Sequence, residues 1–337
     1  MALKPYILGS GLAGTAIAEA FALLSLTDQE LSFEKPEQIS RNAKLADLSL
    51  NKESVVCIAN PSALHAPRLI EALQAGAGLV ICEKPAAVNH AQLRQLQNAK
   101  GKVAVLHVYR QLWGIQKMRQ LVAEGALGCI LAIDGKLWQS SRVGFLTPSA
   151  APAQKREWVG DVNLTGEYGV SLGLGTHWLD IAHFLCGESL RMQHCTVRDM
   201  HVGERKEDTY INLQLESASG VHVSGSICNM VHGARNDLEI VILGEKAMAR
   251  WHFLTPDEII WATGKEQKTM YRDERTSGSG HPPFHGLGWL EGYIEIIRQS
   301  CRDLLGLTHK PYPILEESNA ILALLLETRP DLKDAAA

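Results

Sequence analysis

The chain has 337 residues, 46% hydrophobic and 21% charged, a length and balance that fit two packed domains and exclude a fibrous or disordered protein. Lys plus Arg total 33 against 37 for Asp plus Glu, a formal net charge of -4, which leaves no cationic surplus for gripping nucleic acid or an anionic membrane surface. No stretch approaches the ~18 consecutive apolar residues of a spanning helix, and the N-terminus has neither the basic start nor the cleavage site of an export signal, so a cytoplasmic location is expected.

The first element is a short apolar strand, Pro5 to Leu8, which runs into Gly9-Ser10-Gly11-Leu12-Ala13-Gly14 and then a helix-forming stretch from Thr15 to Leu24. In this G-x-G-x-x-G pattern Gly9 allows a tight turn, Gly11 lets the backbone approach a pyrophosphate, and Gly14 lets helix pack on strand. Amides at the N-terminus of that helix then suit phosphates, and Leu12 and Ala13 within the turn are expected among the cofactor-binding residues. Further buried-type strands are expected at Leu31 to Phe33, Val55 to Ala59, Leu79 to Cys82 and Val103 to Val108, with helices at Pro67 to Gln74 and His90 to Ala99. Apolar strands alternating with helices specify a doubly wound parallel sheet over residues 1–109.

After a helix at Trp113 to Glu124 the pattern changes to half-buried strands at Ile130 to Trp138, Gln193 to Met200, Tyr210 to Leu215, Val221 to Met230, Leu238 to Leu243, Ala247 to Phe253 and Glu258 to Trp261. These predict a large, mostly antiparallel open sheet in an α+β domain over residues 110–337. Ser277 to Gly288 reads as a long exposed loop, and helices at Leu290 to Leu305 and Leu315 to Thr328 close the chain, the last able to pack back on the first domain. Seven scattered cysteines, Cys57, Cys82, Cys129, Cys186, Cys195, Cys228 and Cys301, form no C-x-x-C pair and are expected to be reduced.

The ribose-reading residue of a dinucleotide fold is expected about 20 positions beyond the glycine turn, which lands on Glu34 followed by Lys35. Glu34 would accept from a ribose diol and favour NAD, whereas Lys35 or Arg41 would neutralise the extra phosphate of NADP. The same residues also suit a solvated turn, so the cofactor stays NAD or NADP. Lys84, in Glu83-Lys84-Pro85, stands at the carboxyl edge of the fourth strand, where ligands bind in this architecture.

The succession of Gly9 to Gly14, Asn60-Pro61 with His65, Glu83-Lys84-Pro85 and Gly175-Thr176-His177-Trp178-Leu179-Asp180 resembles the glucose-fructose oxidoreductase / inositol dehydrogenase / rhizopine catabolism (Gfo/Idh/MocA) family. The resemblance implies an N-terminal Rossmann domain, a C-terminal open sheet through which relatives form homodimers or homotetramers, and NAD(P)-dependent oxidation or reduction of small sugars, polyols or cyclic alcohols. It also implies that Asn60 and Pro61 lie along the nicotinamide ribose and that Lys84, before a cis Pro85, touches cofactor and substrate. A lysine there favours an alkoxide and positions the reacting carbon. His177 has the ordinary pKa of a general base, and Asp180 could orient its ring. His177, Asp180 and His183 recur at helical spacing but lack a fourth partner, so no metal site is assigned.

One departure stands out. Many relatives carry an acid four positions before the histidine, and here that position is Gly173. Asp161, Glu167 and Tyr168 are the nearby polar groups that could substitute, and Arg110 could pair with a substrate oxygen or form an inter-domain ion pair. Trp138 and Trp158 suit either a sugar-stacking wall or sheet packing. Loss of the acid also leaves room for a cofactor-binding sensor without turnover, and the resemblance further implies, as a third possibility, a redox-assisted glycosidase that recycles its NAD.

Overall fold

The computed structural model describes residues 2–40, 42–146, 161–202, 205–273 and 286–332. Arg41, Trp158, most of the expected 277–288 loop and the alanine tail lie outside the described residues.

The first unit comprises β1 (Lys4–Leu8), α1 (Leu12–Thr27), β2 (Glu37–Ile39), β3 (Ser54–Ile58), α2 (His65–Gln74), β4 (Leu79–Cys82), α3 (His90–Gln97) and β5 (Val103–Val105). Its strands form a parallel sheet in the order β2-β1-β3-β4-β5. β3 and β4 are buried at every position, as strands covered on both faces must be. Asn89 caps α3 by accepting from the amide of Gln92, an interaction worth about 1 kcal/mol.

The second unit begins with α4 (Trp113–Ala123) and β6 (Ile130–Trp138), then α5 (Val162–Thr165) and α6 (Thr176–Cys186). The strands β7 (Leu190–Val202), β8 (Arg205–Ser217), β9 (His222–Cys228), β10 (Asp237–Gly244), β11 (Met248–His252), β12 (Glu258–Ala262) and β13 (Gln267–Tyr271) follow, and α7 (Trp289–Leu304) and α8 (Leu315–Leu326) complete the described strands and α-helices. The eight-stranded sheet has the order β13-β12-β11-β10-β6-β9-β8-β7. All neighbours are antiparallel except β6 and β9.

Two seams join the units. α7 buries Ile294, Ile296, Ile297 and Cys301 in the same apolar cluster as Ile17 and Phe21 of α1 and Ile7, Cys57 and Ile81 of the parallel sheet. α8 packs on α3 and α6, and Ile314 just before it bridges to Ala104 of β5.

Two expectations change. Phe33 makes only a single bridge to Leu3, and the second strand lies later, at Glu37–Ile39. It is an edge strand with Glu37 and Gln38 exposed, so it carries no apolar run to reveal it. The strand β13 is likewise a polar edge, exposed at Gln267, Lys268 and Thr269, and it escapes a reading based on alternation.

Candidate active site

A cleft of about 880 Å³ opens at the carboxyl edge of the parallel sheet. Its floor is the glycine turn. Gly9 has φ 116°, and a Cβ there would collide with the carbonyl of Ala59, so only glycine lets this turn lie against the start of the β3 loop. A Cβ on buried Gly14 would run into the carbonyl of Gly9, so this third glycine serves the packing of α1 on the turn. Gly11 has open space where a side chain would stand. It is also the N-cap of α1 and offers no side-chain acceptor, so the amides of the first turn have no side-chain cap.

Gly9, Gly11, Leu12, Ala13, Asn60, Pro61, His65, Glu83 and Lys84, all named from the sequence as cofactor-binding candidates, line the cleft. His65 fastens two loops together, its ring nitrogens lying 2.8 Å from the carbonyl of Pro85 and 2.7 Å from that of Asn60. Both amide atoms of the Asn60 side chain are buried without a partner, and unpaired donors and acceptors in such a place call for a polar ligand. The Lys84–Pro85 peptide is cis.

Glu83 and Lys84 point in opposite directions chemically. Burial pushes the Glu83 carboxyl upward despite the hydrogen bond donated by Tyr293. Lys84 is half-buried, and burial lowers its pKa while Glu83 works against that shift. Its Nζ donates to the carbonyl of Gly173 at 2.7 Å. That carbonyl belongs to the π-helical turn Ser171–Gly175, which leads directly into α6 and His177. The buried carboxylate of Asp208 anchors the start of the turn by accepting from the amides of Gly169 and Ser171.

α6 is seated by Trp178. Its indole is fully buried over Gly135 of β6 and Gly225 of β9, where any side chain would strike the ring. This fixes the azimuth of the helix and therefore the direction of His177. The His177 imidazole is half-buried, with Nδ1 inaccessible and unpaired. Burial, and then the charges of Lys84 and His107, hold its pKa well below the ordinary histidine value, so the ring is neutral and able to accept a proton. Tyr109 packs against it. His107 is buried with Nε2 3.1 Å from Ser318 Oγ, and burial is the largest of the effects that bring its pKa down to about 4.

Several expected roles are corrected. Arg110 is buried and spent: Nε donates to Asp180 Oδ2 at 3.0 Å, Nη2 donates to Asp180 Oδ1, and Nη1 donates to Glu317 at 2.5 Å. Of the two alternatives for Arg110, the ion pair is the one the structure shows, and the substrate contact is set aside. Asp180 consequently holds Arg110 and does not orient His177. Tyr168 is buried, and its hydroxyl donates to the carbonyl of Leu326. Asp161 caps the short α5 by accepting from the amide of Asn163 and lines no part of the cleft. Glu34 lies beside Leu3 at the amino end of β1, its amide bonded to the Leu3 carbonyl at 2.8 Å, and is likewise absent from the cleft. Pro85 is buried behind Lys84. Gly173 and His177 are not among the residues lining the cleft either; the turn that carries them meets it through Lys84, and Gly173 has open space along its Cβ direction.

Trp289 and Tyr293 are cleft-lining residues that the sequence reading did not single out, as are Gln38 and Ser40. The two aromatics sit one turn apart on α7, ring centroids 5.1 Å apart in an edge-on pair. Trp289 lies one residue before the start expected for this helix, at Leu290.

A nicotinamide dinucleotide fits this arrangement: free helix amides for phosphates, a glycine floor, an orphaned amide and a lysine at the far end. The N-terminal part, residues 8–109, matches the model of an oxidoreductase family with an NAD-binding Rossmann fold, and residues 115–250 match the companion GFO/IDH/MocA C-terminal domain. The chain belongs to the Gfo/Idh/MocA family.

Solved Gfo/Idh/MocA-like structures superpose over nearly the whole chain. Levoglucosan dehydrogenase in complex with NADH is 22% identical, with 98% of each chain covered and a TM-score of 0.82. An NAD binding oxidoreductase from Klebsiella pneumoniae is 19% identical over 96% of this chain and 95% of its own, TM-score 0.81. An inositol dehydrogenase homolog complexed with NAD+ from Azotobacter vinelandii is 16% identical over 100% and 96%, TM-score 0.75. At these identities the likeness speaks for the fold. None of the curated proteins matches the chain. Among the described residues, no group of three or more His, Cys, Asp or Glu is placed to hold a metal, and no helix is long and apolar enough to cross a membrane.

Proposed function

We propose that the protein is an NAD(P)-dependent dehydrogenase or reductase that moves a hydride between nicotinamide and the hydroxyl- or keto-bearing carbon of a sugar, polyol or related cyclic alcohol. The observation that carries this reading is the 2.7 Å bond from Lys84 Nζ to the carbonyl of Gly173. It brings the one amine among the described lining residues to the helical turn that presents a neutral imidazole four residues later. Bound nicotinamide supplies the hydride acceptor or donor.

The chain's own residues supply everything else. Lys84 holds the reacting oxygen by a charge-assisted hydrogen bond and stabilises negative charge as the proton leaves. His177 takes that proton in the oxidative direction and returns it in the reductive one. The aromatic pair Trp289 and Tyr293 closes one wall of the cleft, and the Tyr293 hydroxyl engages the Glu83 carboxylate beside Lys84. Neighbours named as a levoglucosan dehydrogenase and an inositol dehydrogenase homolog support a polyhydroxylated substrate.

The test is a panel of sugars, inositols, cyclic diols and aryl glycosides with NAD+ or NADP+, following nicotinamide absorbance and aglycone release together. Reduction of the nicotinamide that disappears in Lys84→Ala and His177→Ala supports the reading. Aglycone release without accumulating reduced cofactor points to a redox-assisted glycosidase, and silence in both channels to a sensor.

The second sheet supports a homodimer or homotetramer. Along β10, Leu238, Ile240 and Ile242 are buried beneath the helices while Glu239, Val241 and Leu243 alternate onto the opposite, less covered face. A monomer by light scattering would remove this part.

A further inference from the structure

We propose that the adenosine end of the cleft is built for a 2′-phosphate, so that the protein prefers NADP(H) to NAD(H), with Ser40 as the residue that reads this position. The inference rests on the dinucleotide reading above and names which dinucleotide.

In a doubly wound sheet the adenosine ribose is met at the carboxyl end of the second strand, where a carboxylate selects a free diol. Here that end is fixed by register. Ile39 pairs with Leu8, the last residue of β1 before the glycine turn, so Ser40 stands level with Gly9. Ser40 is exposed and lines the cleft. Among the described residues its hydroxyl oxygen receives a long 3.4 Å contact from the Asn42 amide and its proton meets no acceptor.

No carboxylate among the described residues is available to do the selecting. Glu37 pairs with Tyr6, two residues back along the strand from Ile39, about 7 Å at the rise of a β-strand. Glu34 is further still, at Leu3. Both acids act electrostatically on Lys4 at the amino end of β1, the wrong end of the sheet. Gln38 lines the cleft, but its amide nitrogen is committed to the carbonyls of Ile7 and Gly9 at 2.9 Å each, tying β2 to the glycine turn. Among the described lining residues the one carboxylate is Glu83, at the nicotinamide end and bonded to Tyr293.

Electrostatics decides the sign. An acid at this position would accept from two ribose hydroxyls and repel a phosphate dianion. A neutral hydroxyl donor beside uncapped helix amides neither repels the phosphate nor selects for the diol, and it adds a hydrogen bond for the phosphate.

The test is calorimetric titration of the purified protein with NADP+, NAD+ and 2′,5′-ADP, with no substrate present. NADP+ is expected to bind about tenfold or more tightly than NAD+, a difference of about 1.4 kcal/mol, and 2′,5′-ADP to compete for the same site. Ser40→Asp should reverse the order, and Ser40→Ala should weaken NADP+ alone by a few-fold, about threefold. Circular dichroism melts confirm that both variants fold. NAD+ binding as tightly as NADP+, or a Ser40→Asp variant with an unchanged ratio, overturns the inference and leaves the dehydrogenase reading standing. Binding of neither dinucleotide overturns both.

Discussion

The ring of Tyr109 packs on the imidazole of His177, centroids 4.7 Å apart and planes inclined at 60°. This contact does what a hydrogen-bonding acid was expected to do, since His177 Nδ1 has no partner and Asp180 is occupied elsewhere. Tyr109 is itself fixed from two sides, by the edge of Phe253 at 5.0 Å and by Asn236, whose side-chain amide donates to the phenol oxygen at 2.9 Å. Asn236 has φ 61°, alone among the described non-glycine residues in the left-handed region, and Gln139 donates to its other amide atom. Backbone strain of this kind persists where surroundings over-determine it.

Orientation by a ring face makes a specific prediction about substitution. Tyr109→Phe keeps the face and loses only the Asn236 bond, so turnover should stay within about threefold. Tyr109→Ala frees the imidazole and should lower kcat by about 10–10² with a smaller change in cofactor affinity. Steady-state kinetics with any substrate found in the panel checks this, and equal losses in the two variants would show that the hydroxyl acts, not the ring.

Arg110 and Asp180 make a second prediction. Asp180→Ala leaves a guanidinium buried at 2% exposure with Glu317 as its remaining ion-pair partner among the described residues, which should cost about 3–5 kcal/mol in urea unfolding. The pair Arg110→Met with Asp180→Leu removes both charges and should recover most of that loss. Dinucleotide affinity should be unchanged in the double variant. A large loss of affinity for substrate with stability intact would restore Arg110 to a binding role.

His107 sets an acid-side prediction. Its pKa is about 4 in the folded protein against about 6.5 in an unfolded chain. Between those values the unfolded chain binds a proton that the folded one does not, so stability falls as pH drops below about 6.5 and the loss is complete near pH 4. His107→Gln preserves a donor toward Ser318 without a titrating ring. Between pH 7 and pH 5 the natural protein should lose about 2 kcal/mol more than this variant. Parallel urea titrations at the two pH values measure the difference.

The sequence disclosed the fold where burial was strong. The all-apolar β3 and β4, and the alternation of β10, left little choice of structure. It disclosed the glycine floor of the cleft because glycine has conformations nothing else can take. Glu34 misled because the count from Gly14 assumes that β2 begins soon after α1, whereas Leu31 to Phe33 makes only one bridge and the chain pairs later. Arg110 stayed undecided between substrate and ion pair for a different reason. A charge near a site looks the same in sequence whether it meets a substrate or a buried acid 70 residues away. Trp289, Tyr293 and Tyr109 were invisible as site residues because their roles depend on α7 and the second sheet folding back on the first unit, a fact that local pattern does not carry.

Gly173 offers the sharpest test of how the amine and the imidazole are coupled. A Cβ there meets nothing within 4 Å, and Gly173 is exposed. Gly173→Asp should therefore fold normally, with its melting temperature unchanged to within about 2 °C. The new carboxylate would stand one helical turn before His177 and next to the Lys84 ammonium, whose bond to the main-chain carbonyl at 173 does not depend on a side chain. An opposite charge so close favours the protonated form of both groups, reversing part of the depression that burial, Lys84 and His107 impose on His177. The titration of His177, read from its ring-proton NMR signal without any substrate, should move upward by about one pH unit. The acid limb of kcat/KM should move with it, since a base that protonates more readily is lost at a higher pH. The ionised carboxylate introduced by this substitution would also compete with substrate oxygen for Lys84, so KM should rise for the natural substrate unless that substrate brings its own donor to the new acid. An unmoved His177 titration would show that the side chain at 173 faces away from the imidazole, and the two basic groups would then have to be coupled through space alone.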